Sequence, residues 1–274
     1  MKSVSCYHCG SGRHSFYAAE NGFTLVRCDG CGLLYVTPRP DEREIAAGHE
    51  LGVHQGEQKL EVTGRFAEVK VGRYLNILRD FFGDELREKP VSWLDIGCGH
   101  GEFLVALREF SGGKIVARGV EPNLAKQESA RSRGLDVGFA DLRTEARRYD
   151  FVSALNVYGH LPEPPATLSD WRRLLNPGGE LFLETGDTAE LPANKHPKPF
   201  YLPDHLSFAS RRIVTDLLRR IGFDVLDSRV YYWIKPGPVT VTKETVKIFW
   251  PGKKSSLRYM FRPTDLYIRA RRKE

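Results

Sequence analysis

The sequence predicts an α/β fold: a doubly wound sheet of mostly parallel strands with helices on both faces, preceded by a small cysteine-rich module. Three features carry that expectation. From residue 91 onward, short apolar runs alternate with helix-length segments, the pattern of consecutive βαβ units. The first of these runs, Val91-Ser92-Trp93-Leu94, leads into Asp95-Ile96-Gly97-Cys98-Gly99-His100-Gly101, and a helix-like segment from Glu102 to Phe110 follows at once. Two C-x-x-C-G units stand close together near the amino end.

The cysteine units are Cys6-Tyr7-His8-Cys9-Gly10 and Cys28-Asp29-Gly30-Cys31-Gly32. Their spacing is that of a four-cysteine structural zinc site, each pair gripping one side of a tetrahedral ion, with a glycine to relieve the tight turn. Ser15 to Ala19 and Phe23 to Arg27 read as short strands around the Glu20-Asn21-Gly22 turn, which makes residues 1–38 a zinc ribbon. His8 and His14 read as surface residues rather than ligands. No leader or long apolar run is visible, so the pattern predicts a cytoplasmic chain without a membrane span, in a reducing setting that disfavours disulfides. A saturated four-cysteine site has no open position for chemistry; the ribbon can brace the fold, hold a partner, grip nucleic acid or wall a substrate cleft.

Pro38-Arg39-Pro40 breaks from the ribbon, and 39–90 reads as a helical linker and cover. The helix is clearest in Phe66 to Phe82, where Phe66, Val69, Val71, Tyr74, Leu75 and Leu78 approximate one apolar face. In the glycine loop, a dinucleotide turn would read G-x-G-x-x-G and a P-loop would end in Gly-Lys-Ser/Thr; neither is present. The loop still permits close backbone approach to a ligand, and the helix after it offers unpaired N–H groups to an anion. Lys114 to Val120 reads as the second strand, closed by Glu121-Pro122. A helix over Leu124 to Arg133 and a third strand, Leu135 to Ala140, lead to Asp141-Leu142. A fourth strand spans Tyr149 to Val157, and a helix ending in Arg173-Leu174-Leu175-Asn176-Pro177-Gly178-Gly179 precedes the fifth, Glu180 to Glu184. A late helix over Ser207 to Gly222, a strand from Phe223 to Val230 and a last strand from Asp265 to Ala270 complete the series.

From Val91 to about Arg229 these motifs, in this order and at these intervals, resemble the class I S-adenosylmethionine-dependent methyltransferases. The resemblance implies a Rossmann-like sheet of seven strands with the last one antiparallel, over a catalytic domain of residues 91–274. It implies S-adenosylmethionine as donor and S-adenosylhomocysteine as product. Asp95, Gly97, Cys98, Gly99 and Gly101 would hold the methionine part, Glu121 with Pro122 the ribose, and Asp141 with Leu142 the adenine. Asn156 would line the sulfonium side. All of these acids fall at the carboxyl ends of parallel strands, the edge where such folds bind ligands.

Two insertions, about 186–206 and 231–263, depart from a minimal fold and are the places to choose a substrate. The first carries His196, Phe200, Tyr201, Asp204 and His205; the second carries Tyr231, Tyr232, Trp233, Phe249, Trp250 and Tyr259. Aromatic walls suit a small organic acceptor such as a sugar or a natural-product scaffold. A hydroxyl or carbon acceptor also needs a proton removed, and His205 is the candidate base, with His160 as cleft wall or base. The resembled family often has Glu-His-Leu where this chain has Gly159-His160-Leu161, so a Glu-oriented histidine does not carry over. Zinc-ribbon relatives include sugar C-methyltransferases with a further carboxy-terminal domain, which this chain lacks; O-methylation is therefore slightly favoured over C-methylation.

The competing reading is an rRNA or tRNA methyltransferase whose ribbon recognises RNA. Against it, the fourth strand ends in Asn156-Val157-Tyr158-Gly159, not Asn/Asp-Pro-Pro-aromatic, and no Pro-Cys nucleophile is present. A non-catalytic scaffold would be expected to lose the cofactor acids, and none is lost. The 274 residues, 41% hydrophobic and 28% charged, suffice for one full-sized core with an appendage. The net charge of +6 rests partly on the tail Arg269-Ala270-Arg271-Arg272-Lys273, and without a dense basic stripe it does not point to nucleic acid. Nothing in the pattern selects an oligomeric state.

Overall fold

The computed structural model describes residues 1–88, 90–232, 237–250, 257 and 261–274. Its main body is a seven-stranded sheet. The strands are β6 (Val91–Ile96), β7 (Ile115–Val120), β8 (Val137–Gly138), β9 (Tyr149–Leu155), β10 (Leu175–Gly186), β12 (Phe223–Tyr231) and β13 (Asp265–Arg272), in the spatial order β12-β13-β10-β9-β6-β7-β8. The last strand, β13, runs antiparallel to both neighbours, and the pairs from β10 through β8 are parallel. This is the expected Rossmann-like α/β sheet. The order in which successive strands are added reverses between β6 and β9, from β6-β7-β8 on one side to β9 on the other, which opens a crevice at their carboxyl ends, where such sheets take ligands.

The strands form where the sequence is apolar on both faces, since helices cover both. The helices are α1 (Glu42–Leu51), α2 (Glu68–Phe82), α3 (Glu102–Ser111), α4 (Leu124–Arg131), α5 (Pro164–Arg173), α6 (Arg211–Arg220) and α7 (Pro238–Ile248). On one face of the sheet Trp93 stacks on Phe151, with centroids 4.5 Å apart; Phe82 and Phe103 meet the pair edge-on, and Phe182 packs behind them. On the other face Val152, Leu183, Ile213 and Leu217 form the core that continues into the amino-terminal sheet. Among the described residues no helix is long and apolar enough to cross a membrane.

Several elements differ from the sequence expectation. The stretch 39–90 is not continuously helical: α1 ends at Gly52, and β4 (Val53–His54) pairs with β5 (Leu60–Glu61) before α2 begins. The buried face of α2 is Val71, Ile77, Leu78, Phe81 and Phe82, while Val69 is exposed. The third strand shrinks to β8, because only Val137 and Gly138 find partners on β7. The fifth strand lengthens to β10, whose Asn176-Pro177-Gly178-Gly179 turn is a register shift within the strand. The late helix starts four residues later than its apolar pattern suggests, where Ser210 caps α6 through its hydroxyl.

Ser207–Phe208 instead forms a strand, β11, and this changes the status of the ribbon. The amino-terminal strands β1 (His14–Glu20), β2 (Phe23–Cys28) and β3 (Leu34–Val36) form a sheet whose fourth strand is β11, paired through Ser207 with Tyr35 and Phe208 with Leu34. Residues 1–38 are thus not a closed module. Tyr7 and Tyr158 share a hydroxyl hydrogen bond of 2.9 Å, and Tyr17 and Arg27 both donate to the carbonyl of Leu191. The Glu20 carboxylate accepts from the backbone N–H groups of Phe200 and Leu202, at 2.9 and 3.2 Å.

Replacing Glu20 by Ala orphans both N–H groups of the loop before β11. Chemical denaturation should show a loss of about 1–3 kcal/mol, while Asp29→Ala in the same module should change stability by less than about 0.5 kcal/mol. Equal effects of the two changes would show that the loop is not held through Glu20.

Candidate functional site

Two cavities open at the carboxyl ends of the central strands. The first, about 460 Å³, lies over the glycine loop between β6 and α3. The second, about 390 Å³, lies between the end of β10 and the loop of residues 186–206. Asn156 stands in the wall of both, at the end of β9. Its backbone is left-handed, with φ of 57°, a conformation that asparagine tolerates better than most side chains, and its N–H donates to the carbonyl of Glu184.

Six of the ten residues expected to hold the donor line the first cavity: Gly97, Cys98, Gly99, Glu121, Pro122 and Asn156. A side chain at Gly97 would place its Cβ 2.5 Å from Val157 Cγ2, so the loop approaches the end of β9 too closely for anything but glycine. Glu121 is buried and accepts from Gly99 N and Asn123 N, at 2.9 and 3.1 Å, one bond on each oxygen. Each oxygen retains a lone pair for further donors. Helix α3 starts at Gly101 without a side-chain cap, which leaves its first N–H groups for an anionic group.

Four named residues lie elsewhere. Asp95 is buried beneath the cavity, where its carboxylate accepts from Ser153 Oγ at 2.6 Å; that hydroxyl in turn accepts from Trp93 Nε1. Burial pushes the Asp95 carboxyl up to about 7, against the lowering effect of the Ser153 bond. Gly101 is required by packing, since a Cβ there would collide with Leu135. Asp141 is exposed and folds back on Arg143, and Leu142 packs at the edge of the core. Neither lines the cavity, because β8 ends early and the chain turns away at Asp141.

The sequence reading missed much of the cover. Thr63, Gly64, Arg65, Lys70 and Tyr74 close the first cavity, and His100 joins the carbonyl of Thr63 at 2.9 Å through Nε2. Glu102 is buried in its wall and accepts from Ala67 N. No motif marks Thr63, Gly64 or Arg65, which reach the cavity only because the segment before α2 folds over the glycine loop.

The second cavity takes Thr188, His196, Lys198, Tyr201 and His205 from the 186–206 insertion. From the other insertion it takes Arg262 and, among the described residues, no aromatic side chain; Thr264 and Asp265, where β13 begins, add to the wall. The expected aromatic wall is corrected there: Tyr231 packs on Phe81 and Tyr267, and Phe249 and Trp250 are exposed beyond α7. Trp233 and Tyr259 lie outside the described residues. Thr188 Oγ1 and His196 Nε2 are buried without hydrogen-bond partners in the protein. Glu184, at the cavity end, is pushed up to about 8 by burial and by the nearby Asp265 carboxylate.

His205 and His160 meet at the boundary of the two cavities, with ring centroids 4.5 Å apart; His205 lines the second and His160 the first. His205 Nδ1 lies 2.8 Å from the carbonyl of Phe200, and His160 Nδ1 lies 2.9 Å from the carbonyl of Asp204. Each ring nitrogen must therefore carry a proton to donate, which leaves Nε2 with the lone pair. Burial opposes ionisation of Asp204, yet the surrounding imidazoles, His160 first, hold its carboxyl well below the usual range. His49 and His54, from α1 and β4, approach the same carboxylate and were not singled out from the sequence.

At the amino end the four cysteine sulfurs converge. Cys6 and Cys31 are 3.4 Å apart, as are Cys9 and Cys28, and all four lie within 4.8 Å of one another. That is too far for a disulfide, whose sulfurs stand about 2.05 Å apart. It is close to the roughly 3.8 Å edges of a tetrahedron with zinc–sulfur bonds of about 2.3 Å. Gly10 and Gly32, at φ of 74° and 82°, make the left-handed turns that aim each pair inward. The donor set fits zinc.

A family model described as a methyltransferase domain matches residues 66–228. The ubiquinone biosynthesis O-methyltransferase of Pseudomonas entomophila is 29% identical over 149 residues, 50% of this chain and 60% of that protein. The chain spans 54–60% of the length of such curated relatives. A SAM dependent methyltransferase from Archaeoglobus fulgidus matches at TM-score 0.54 and 21% identity, over 75% of this chain and 95% of that one. The cyclase SpnF matches at TM-score 0.52 and 16% identity, over 84% and 91%. At these identities the structural matches speak to the fold alone.

A raised Asp95 binds its proton more tightly in the fold than in the unfolded chain, so its contribution to stability is greatest below pH 4 and is lost as pH rises through about 7. Unfolding free energy of the ligand-free protein should therefore fall between pH 5 and 8 more steeply for the wild type than for Asp95→Asn. The gap should reach up to a few kcal/mol. Parallel pH profiles would show that Asp95 is ionised in the fold across this range.

Proposed function

This chain belongs to the methyltransferase-domain family, and on that premise we propose that it is an S-adenosylmethionine-dependent methyltransferase that methylates a hydroxyl oxygen of a small organic acceptor held in the second cavity. The observation that carries the reading is Asn156, shared by both walls: a donor in the first cavity and an acceptor in the second meet at the end of β9. The volume of the second cavity suits a molecule of sugar or single-ring size. Thr188 Oγ1 and His196 Nε2, buried and without protein partners, are the groups a hydroxylated acceptor would satisfy. The named activity of the curated relatives, O-methylation, supports oxygen as the acceptor atom.

Bound S-adenosylmethionine supplies an electrophilic methyl group on a sulfonium. The residues of this chain bind, align and exclude water. In our reading Gly97 and Gly99 bring the loop backbone against the donor, the first N–H groups of α3 receive its carboxylate, and Glu121 accepts from its ribose. Asp95 supports the loop from beneath through Ser153 and Trp93 rather than by touching the donor. Asp141 and Leu142 would bound the adenine end only from outside the cavity. His205 Nε2 takes the acceptor's hydroxyl proton as the methyl is transferred, and His160 holds the donor side of the same boundary. Alignment of the two reactants supplies most of the acceleration.

We assign structural zinc to Cys6, Cys9, Cys28 and Cys31. The ribbon then serves the acceptor cavity: through β3, Tyr17 and Glu20 it holds the loop that carries His196 and His205.

The His205→Ala variant should lose about 10²–10⁴-fold in kcat on the true acceptor, with affinity for S-adenosylmethionine, measured by calorimetry, within about twofold of wild type. Wild-type turnover would remove His205 from the reaction.

A further inference from the structure

We infer that His49, His54 and Asp204 form a second metal centre, distinct from the cysteine cluster, for a divalent ion of the zinc type. The three side chains come from separate segments: the end of α1, the strand β4 and the loop before β11. Nε2 of His54 lies 3.0 Å and Nε2 of His49 lies 3.9 Å from Asp204 Oδ1, and the three atoms fall within 4.8 Å of one another. Ligand atoms on a tetrahedral ion with bonds of about 2.0–2.1 Å stand roughly 3.4 Å apart. The observed separations bracket that value.

Hydrogen bonding alone does not account for the arrangement. Both Nε2 atoms are buried and neither has a hydrogen-bond partner. The separation for His49 exceeds hydrogen-bond reach, and the closer approach of His54 lacks the alignment of one. Two orphaned buried nitrogens beside a buried carboxylate are costly unless a ligand satisfies them. Asp204 is also held by His160, whose Nδ1–H donates to its backbone carbonyl and lies 3.3 Å from the same Oδ1 that faces the other two imidazoles.

The neighbourhood is shaped for these rings. Gly48 is buried on α1, and a Cβ there would stand 2.5 Å from Nδ1 of His54, so glycine at this position lets the imidazole lie against the helix. The turn at Gly52 brings β4 back beneath α1, with the rings of His49 and His54 5.3 Å apart and edge to face. Two imidazoles and one carboxylate select zinc or cobalt over magnesium or calcium, which prefer oxygen ligands. Three protein ligands leave a fourth position, and His49 and Asp204 both stand in the wall of the first cavity. An ion here would fasten the cover, α1 and β4, to the loop that carries His205.

The test is metal content of the full-length protein after equilibration with Zn²⁺, together with the spectrum of its Co²⁺ form. Wild type should hold two equivalents; His49→Ala and Asp204→Asn should each hold one and keep the thiolate-to-cobalt charge-transfer band of the cysteine cluster. Cys9→Ser should lose that band and retain the other equivalent. His49 is the most exposed of the three ligands and so the safest to truncate; unfolding curves monitor its variant. If the variants unfold, Co²⁺ titration of the wild type decides: a second set of d–d bands without thiolate character supports the centre. A single equivalent, lost in Cys9→Ser and retained in His49→Ala, overturns it, as does a wild-type titration without the second set.

Discussion

The pairing of β11 with β3 is the constraint on which the active cleft depends. Two register pairs, Ser207 with Tyr35 and Phe208 with Leu34, are joined by Val36 N–H to the carbonyl of Leu206 and by Leu206 N–H to the carbonyl of Gly159, at 2.9 and 2.8 Å. That chain of backbone bonds runs from the cysteine-bearing sheet, through the loop of residues 186–206, to the end of β9. His205 sits one residue from it, so its position is set from both sides. A loop of this length would otherwise sample many arrangements. The amino-terminal sheet acts as the fixed wall against which the loop of residues 186–206 is ordered.

The electrostatics of the cleft are organised around buried acids. Asp95, Glu102, Glu121, Glu184 and Asp265 are all buried near the two cavities. Burial raises Asp95 and Glu184 to about 7 and 8, and raises Asp265 against the pull of Arg73. Carboxyl groups held this high are poised to ionise when a cation enters the cleft, since an opposite charge favours the ionised form.

The parts of the site that the sequence made legible are those with local signatures. The alternation of apolar strands and helices, the glycines around Cys98, the acid after β7 and the two cysteine units each depend on neighbours in the chain. What escaped depends on distant segments. Ser207–Phe208 reads as the start of an apolar helix, because nothing local reveals that Tyr35 and Leu34 offer it a ladder. His49 and His54 are five residues apart in a stretch that reads as helical, and only the turn at Gly52 and the hairpin of β4 and β5 bring both rings to Asp204. The placing of Asp141 is equally non-local: after the apolar run the short pairing of β8 lets the chain turn, and Arg143 takes its carboxylate.

Gly159 explains how the histidine pair can differ from the resembled family and remain ordered. Where that family often places Glu before the histidine, a Cβ in this chain would stand 3.1 Å from the carbonyl of Ser207 and 3.5 Å from Cδ2 of His205. A side chain here would press on the backbone of β11, which would have to give by a few tenths of an ångström. The acid that orients the pair comes instead from the loop of residues 186–206: Asp204 binds His160 through its carbonyl and stands 3.3 Å from the same ring through its carboxylate. Moving the acid from the end of β9 to the loop makes the orientation of His160 conditional on the loop being docked. The cleft is then organised only when the ribbon, the cover and the loop are all in place.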